Sequence, residues 1–220
     1  MPSTLGKSVA EFFGTALLVC VVVGSGIMGS NLSQDSGVTL LINTISTIFA
    51  LALLIFVLAP VSGAHFNPVV SMVQLVNGKQ KVSETLSYIA AQVIGAISGS
   101  VLANIMFDQE ALQISTRVRS SVGLLIGEVI ATAGLIALIG ILSKREQGDL
   151  IPLAVAGWIG SAYFFTSSTS FANPAVTIGR IFSNTFAGIE PDSVLPFIAA
   201  QFVGAALGML AVRAVTRTSK

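Results

Sequence analysis

The sequence predicts an all-α membrane protein of six transmembrane helices plus two re-entrant half-helices, arranged as an inverted repeat. Three observations predict it. Hydrophobic residues make up 53% of the chain and charged residues 10%, with glycine abundant, which suits a bundle embedded in lipid better than a soluble domain. Six apolar runs are long enough to cross a bilayer. A short stretch occurs twice, as His65-Phe66-Asn67-Pro68-Val69 and as Phe171-Ala172-Asn173-Pro174-Ala175.

In chain order the apolar runs cover 8–30, 38–60, 85–107, 121–142, 150–168 and 194–214. No small-residue cleavage pattern follows the first run, so it reads as a retained helix and not a signal peptide. Polar connectors lie at 31–37, 108–119 and 143–149, and the longest divides the single membrane domain, 1–220, into repeats at 1–107 and 121–220. Each Asn-Pro pair falls between two spans. Proline at a first helical position gives up only a donor the helix does not use, so each pair starts a helix, at 68–76 and at 174–182. Nine residues at about 1.5 Å each give roughly 14 Å, half of a hydrocarbon core of about 30 Å. The two half-helices together span the membrane and meet at its midplane.

The halves match in three blocks. Glu11-Phe12-Phe13-Gly14-Thr15-Ala16 resembles Glu128-Val129-Ile130-Ala131-Thr132-Ala133; the Asn-Pro stretches match each other; and Ala90-Ala91-Gln92-Val93-Ile94-Gly95-Ala96 matches Ala199-Ala200-Gln201-Phe202-Val203-Gly204-Ala205. Three spans per unit, an odd number, invert the second copy. Basic residues agree with both termini being cytoplasmic: Lys7, Lys79, Lys81, Lys144, Arg145, Arg213, Arg217 and Lys220 then lie inside, against Arg117, Arg119 and Arg180 outside.

Irregular backbone at membrane depth is tolerated where it lines a wet cavity, so 62–66 and 168–172 should offer carbonyl acceptors to a permeant molecule. Asn67 and Asn173 place amide donors where the helix N-termini meet, while also capping those helices. Each terminus carries about half a positive charge. One net charge about 5 Å from a cation, at an effective dielectric near 20, repels it by about 3 kcal/mol, some two decades in occupancy. Neutral hydrogen-bonding solutes pass.

Paired Asn-Pro motifs, Ser62-Gly63-Ala64-His65 before the first of them, and a glutamate opening the first span of each half together resemble the major intrinsic protein family, the aquaporins and aquaglyceroporins, across essentially the whole chain. The resemblance implies one pore per subunit within a homotetramer, in the cell (inner) membrane. It also implies an outer constriction of four side chains. Val176 stands where most of the family has arginine, and the other three positions fall on Ser170, Ser161 and Thr47, with Phe49 as the competitor to Thr47. That ring has no fixed charge and little bulk, so it implies a wide filter. Val69 replaces a more usual alanine, and Thr177 an acidic residue common in glycerol channels. Arg180, one turn beyond Val176, reaches the outer mouth or solvates the half-helix end.

Glu11 and Glu128, buried in the membrane, need partners; structural acceptors for half-helix donors and a proton relay are the two readings. Gln92 and Gln201 bridge beside them. His65, the sole histidine, braces the inner re-entrant loop or senses pH, and is a poor metal ligand alone. Gly95 and Gly204 permit close helix approach. Cys20, the sole cysteine, has no disulfide partner. No catalytic constellation, cofactor motif, metal cluster or basic nucleic-acid platform is present in the sequence. The expected function is a passive channel for water, glycerol-like polyols and neutral metalloid acids; the missing filter arginine also resembles a bacterial subgroup linked with arsenic handling, which makes arsenite the sharper expectation, while Thr177 speaks against glycerol as the principal solute. A water-selective pore narrowed by Phe49 or Phe171, and a proton-coupled transporter, are the alternatives.

Overall fold

The computed structural model describes residues 2–216. Arg217 and Lys220, counted above among the inner charges, lie outside that range. Every regular element described is helical: α1 (Thr4–Leu32), α2 (Ser36–Ser62), α3 (Pro68–Val76), α4 (Val82–Met106), α5 (Val122–Lys144), α6 (Ile151–Phe165), α7 (Pro174–Gly179) and α8 (Pro191–Val215). Short 3-10 turns precede α6 at Gly148–Leu150 and follow α7 at Arg180–Phe182.

Six helices are long and apolar enough to span a bilayer: α1, α2, α4, α5, α6 with its leading turn, and α8. Their bounds differ from the sequence expectation by no more than one helical turn. The second half-helix covers the expected 174–182, but its last turn tightens to 3-10 at Arg180. Local chemistry sets the ends. Asp35 caps α2, its Oδ1 accepting from Gly37 N at 2.7 Å and Val38 N at 3.2 Å, and Gly63 stops that helix in the left-handed region at φ 90°.

Packing repeats between the halves. α4 lies on α1 through Gly95 and Gly99, and α8 lies on α5 through Gly204 and Gly208. A Cβ on Gly95 would stand 2.5 Å from Phe12 O, and one on Gly204 2.5 Å from Val129 O. Glycine lets backbone meet backbone there, the contact that packs helices in lipid where no hydrophobic force operates. Large apolar side chains such as Phe49, Leu53 and Phe56 point outward.

Six spans put the start of α1 and the end of α8 on one face, called here the terminal face. Residues 108–121 close the opposite, loop face and fold against 181–193, with Ser115 N on Ile181 O at 2.8 Å and Arg119 N on Ser193 Oγ at 2.9 Å.

Candidate functional site

Asn67 caps α3, its Oδ1 accepting from Val69 N at 3.0 Å; Asn173 caps α7, accepting from Ala175 N at 3.0 Å and Val176 N at 3.2 Å. The other end of each amide crosses the pseudo-twofold axis. Asn67 Nδ2 donates to Ala172 O and Asn173 Nδ2 donates to Phe66 O, both at 2.7 Å. An amide nitrogen has two hydrogens, so one ties the tips together and one remains for the cavity that both residues border.

The segments leading to the tips are held in an unfavourable conformation. Ala64, Phe66, Ser170 and Ala172 have φ of 48°, 48°, 51° and 47°. Such non-glycine residues cost about 1–3 kcal/mol each and persist only where surroundings fix them. Glu11 does so in the first half: Oε1 accepts from His65 N at 2.9 Å and Ser62 Oγ at 2.6 Å, Oε2 from Phe66 N at 2.6 Å. Glu128 does so in the second, accepting from Phe171 N at 2.9 Å and Ala172 N at 2.8 Å. Gln92 Nε2 donates to Glu11 Oε2 at 2.8 Å and Ser71 Oγ at 3.1 Å; Gln201 Nε2 donates to Glu128 Oε2 at 2.7 Å and Thr177 Oγ1 at 2.9 Å. The bridging roles of Ser71 and Thr177 were missed from the sequence, although each lies four residues after its asparagine and hence one turn behind it on the same face.

Both glutamates are fully buried and neither borders the cavity. With four donors on the Glu11 carboxylate and three on that of Glu128, they serve the backbone rather than the lumen. His65 does border the cavity; its Nδ1 pairs with Ser71 Oγ at 3.0 Å and its ring stands edge-on to Tyr88, centroids 5.3 Å apart.

The cavity, about 260 Å³, runs from Gln74 and Ser143 near the terminal face, past the two asparagines, to Arg180 near the loop face. Its walls are apolar, including Leu18, Val22, Leu51, Ile55, Val155 and Ile159, broken by the polar groups at the tips. Toward the loop face Thr47, Ser170 and Val176 line it, and Phe49 does not: it is 66% exposed on the outside of α2. Ser170 Oγ is buried without a protein partner.

Two expectations at the neck need correction. Ser161 does not line the cavity; it is exposed, and its Oγ bonds back to Gly157 O at 2.8 Å. The lumen face of α6 is Val155, Ile159 and Tyr163, spaced by four, and Ser161 sits about 200° around the helix from Tyr163. From α6 it is Tyr163 that borders the cavity beside Thr47, its hydroxyl donating to Thr47 Oγ1 at 3.3 Å. Nor is the neck uncharged. Arg180, 3% exposed, borders it, with its guanidinium 3.4 Å from the Phe171 ring centroid and its Nε donating to Ala187 O. Arg119 backs the same ring at 4.9 Å, with its Nε on Gly188 O at 2.9 Å. No carboxylate within ion-pair distance is found for either among the described residues.

Comparison with known proteins agrees with this architecture. The model of the major intrinsic protein family matches residues 1–170. The chain is 44% identical over 207 residues to aquaglyceroporin AqpS of Rhizobium meliloti, covering 94% of this chain and 88% of that one. It is 29% identical to aquaporin NIP1-1 of Zea mays, covering 97% and 76%. Among solved structures, the aquaglyceroporin from Plasmodium falciparum superposes with a TM-score of 0.72 at 21% identity, covering 97% of this chain and 98% of that one. The family match spans more than three quarters of the sequence and the bacterial relative nearly all of it, and the paired half-helices meet as that family's fold requires; the chain belongs to the major intrinsic protein family of membrane channels.

Proposed function

We propose that the protein conducts small neutral, hydroxyl-bearing solutes passively in either direction, with water and glycerol-like polyols as the main class and undissociated arsenous acid within it. The observation that carries this is the reciprocal pair Asn67–Ala172 and Asn173–Phe66 beside one cavity whose walls are mostly apolar. A solute entering exchanges its water hydrogen bonds for carbonyls of the re-entrant segments and the free amide hydrogens, and its carbon side meets the apolar wall. A cation loses hydration and meets two helix N-termini and the Arg180 guanidinium. The relative's name, aquaglyceroporin, supports polyols over water alone.

In this reading Thr47, Tyr163, Ser170, Val176 and Arg180 set the size limit at the neck, while Glu11, Glu128, His65, Gln92 and Gln201 support the tips. Residues 1–107 and 121–220 act as two inverted halves of one channel domain. The terminal face is cytoplasmic, the membrane is the cell membrane, and four copies assemble with one pore each. Saturation of both glutamates by backbone and glutamine donors speaks against a proton-coupled cycle, which needs a carboxylate open to the lumen.

Stopped-flow light scattering on proteoliposomes tests the reading. Glycerol-driven reswelling with weak temperature dependence and no response to a pH gradient is expected; saturable, gradient-dependent uptake would overturn it. Val176→Arg, which adds a long side chain at a wall position only 6% exposed, should slow glycerol more than water. Equal fluxes in that variant would remove Val176 from the neck.

A further inference from the structure

A second cavity, also about 260 Å³, opens beside the pore on the terminal face. That is near the lower end of the ~300–1,000 Å³ range of small-molecule pockets. Its floor is apolar, formed by Val73, Ile136, Met209 and Val212, and its rim carries Lys79, Lys144 and Arg213. These cations come from three separate places: the turn after α3, the end of α5 and the end of α8. Among the described residues no acidic side chain lines the cavity. Among the described residues, none of the three cations is in an ion pair, whereas Lys7 on the same face pairs with Glu84 at 2.8 Å. Lys144 Nζ is oriented by one bond to Thr216 Oγ1 at 2.8 Å, which leaves it two donors.

Helix dipoles favour a cation at each C-terminus, and the inward bias of basic residues favours this face. Neither explains convergence on a single cavity, since Lys81 and Arg145 share the face and line neither of the two cavities. The inverted repeat supplies an internal control. Around α7, on the loop face, the corresponding space is packed shut: Ser100 Oγ donates to Gly179 O at 2.7 Å, and a Cβ on Gly179 would stand 2.7 Å from the Ala96 carbonyl carbon. The opening next to α3 is therefore a feature of this half and not of the fold.

We propose that this vestibule binds a small organic phosphate monoester, its dianionic head held by Lys79, Lys144 and Arg213 and its short carbon body on the apolar floor. A phosphate head supplies several acceptor oxygens to three cationic donor groups from different directions, and charge-assisted bonds of that kind are the strong ones. The apolar floor selects an ester over the free ion. Val70, Gln74, Ile139 and Ser143 line both this cavity and the pore, so an occupant that enters from the terminal face stands in the pore entrance and slows flux in both directions. That blocking action rests on the channel reading; the binding does not, and the two are measured separately.

The binding test is calorimetric titration of the full-length purified protein with phenyl phosphate, beside inorganic phosphate and the combined variant Lys79→Gln, Lys144→Gln, Arg213→Gln. Wild-type folding of the variant is checked by its glycerol flux and thermal unfolding. Saturable binding of phenyl phosphate is expected, weaker by about tenfold or more in the variant and for inorganic phosphate. Absence of saturable binding at millimolar concentration, equal binding by the variant, or equal binding of inorganic phosphate would overturn the site as described. If the combined variant does not fold, Arg213→Gln alone must weaken binding measurably, and unchanged affinity there has the same negative meaning. Right-side-out and inside-out vesicles then read the block: phenyl phosphate added to the medium should slow solute flux in both directions where the terminal face is outward and leave it unchanged where that face is inward.

Discussion

Arg180 lies over Phe171, its guanidinium carbon 3.4 Å from the ring centroid, with its Nε bound to the carbonyl of Ala187. A cation stacked on an aromatic face and anchored to backbone stays charged while buried, because the ring and the carbonyl replace part of its hydration. Its charge is thereby delivered to the pore neck from the second turn of the half-helix.

Arg180→Gln should remove that charge while retaining a donor. The coulombic estimate for one charge near a permeant cation is about 3 kcal/mol at an effective dielectric of 20, and the helix termini supply part of the barrier regardless. Cation leak, read as methylammonium-driven swelling, should rise about tenfold, with glycerol flux equal or faster. A leak unchanged from wild type would confine Arg180 to a packing role.

Ser161→Ala and Tyr163→Phe should separate two neighbouring positions on α6. Ser161 is exposed and bonds only to its own helix, so its loss should move stability by less than about 0.5 kcal/mol and leave the glycerol-to-water flux ratio alone. Tyr163→Phe removes the hydroxyl that reaches Thr47, and the flux ratio should shift. The reverse pattern would restore Ser161 to the constriction.

Glu11→Gln and Glu128→Gln should destabilise by similar amounts. Each replaces an acceptor-only carboxylate with an amide whose NH2 faces backbone donors, at a cost of about 2–4 kcal/mol. Thermal unfolding in detergent measures it. Residual flux in both variants should remain independent of an imposed proton gradient; a lost proton coupling would revive the relay reading.

Gly95→Ala and Gly204→Ala test the repeat itself. In each, the new methyl would approach a carbonyl oxygen to 2.5 Å, forcing α1 from α4 or α5 from α8 at about 1–3 kcal/mol. Matching losses of melting temperature are expected, and a large asymmetry would show that the two interfaces are not equivalent.

The helices, the half-helix starts and the glutamate supports were legible because each rests on a local signal: an apolar run, a proline at a first helical position, or a carboxylate in a membrane span. The neck was only partly so. Placing Ser161 assumed a gapless count across 166–172, yet α6 ends at Phe165 and the following residues take left-handed turns at Thr169, Ser170 and Ala172. The stripe Val155, Ile159, Tyr163 could have corrected the register, but in a helix apolar on every side periodicity does not tell lumen from lipid. Arg180 posed a different problem. Spacing gave its face, while its burial depends on Phe171 and Ala187, on either side of α7 in sequence and brought to it only by the fold.

The crossed ties at the two asparagines bear on how the chain is made. Asn67 must wait for an acceptor 105 residues further along, so when the first three spans have left the ribosome their re-entrant tip still holds an unpaired amide, at a cost of about 1–3 kcal/mol if it is dry. The nascent half therefore keeps its tip wet, or shielded by an insertion factor, until translation delivers Ala172; closure of the midplane is a late event in biogenesis.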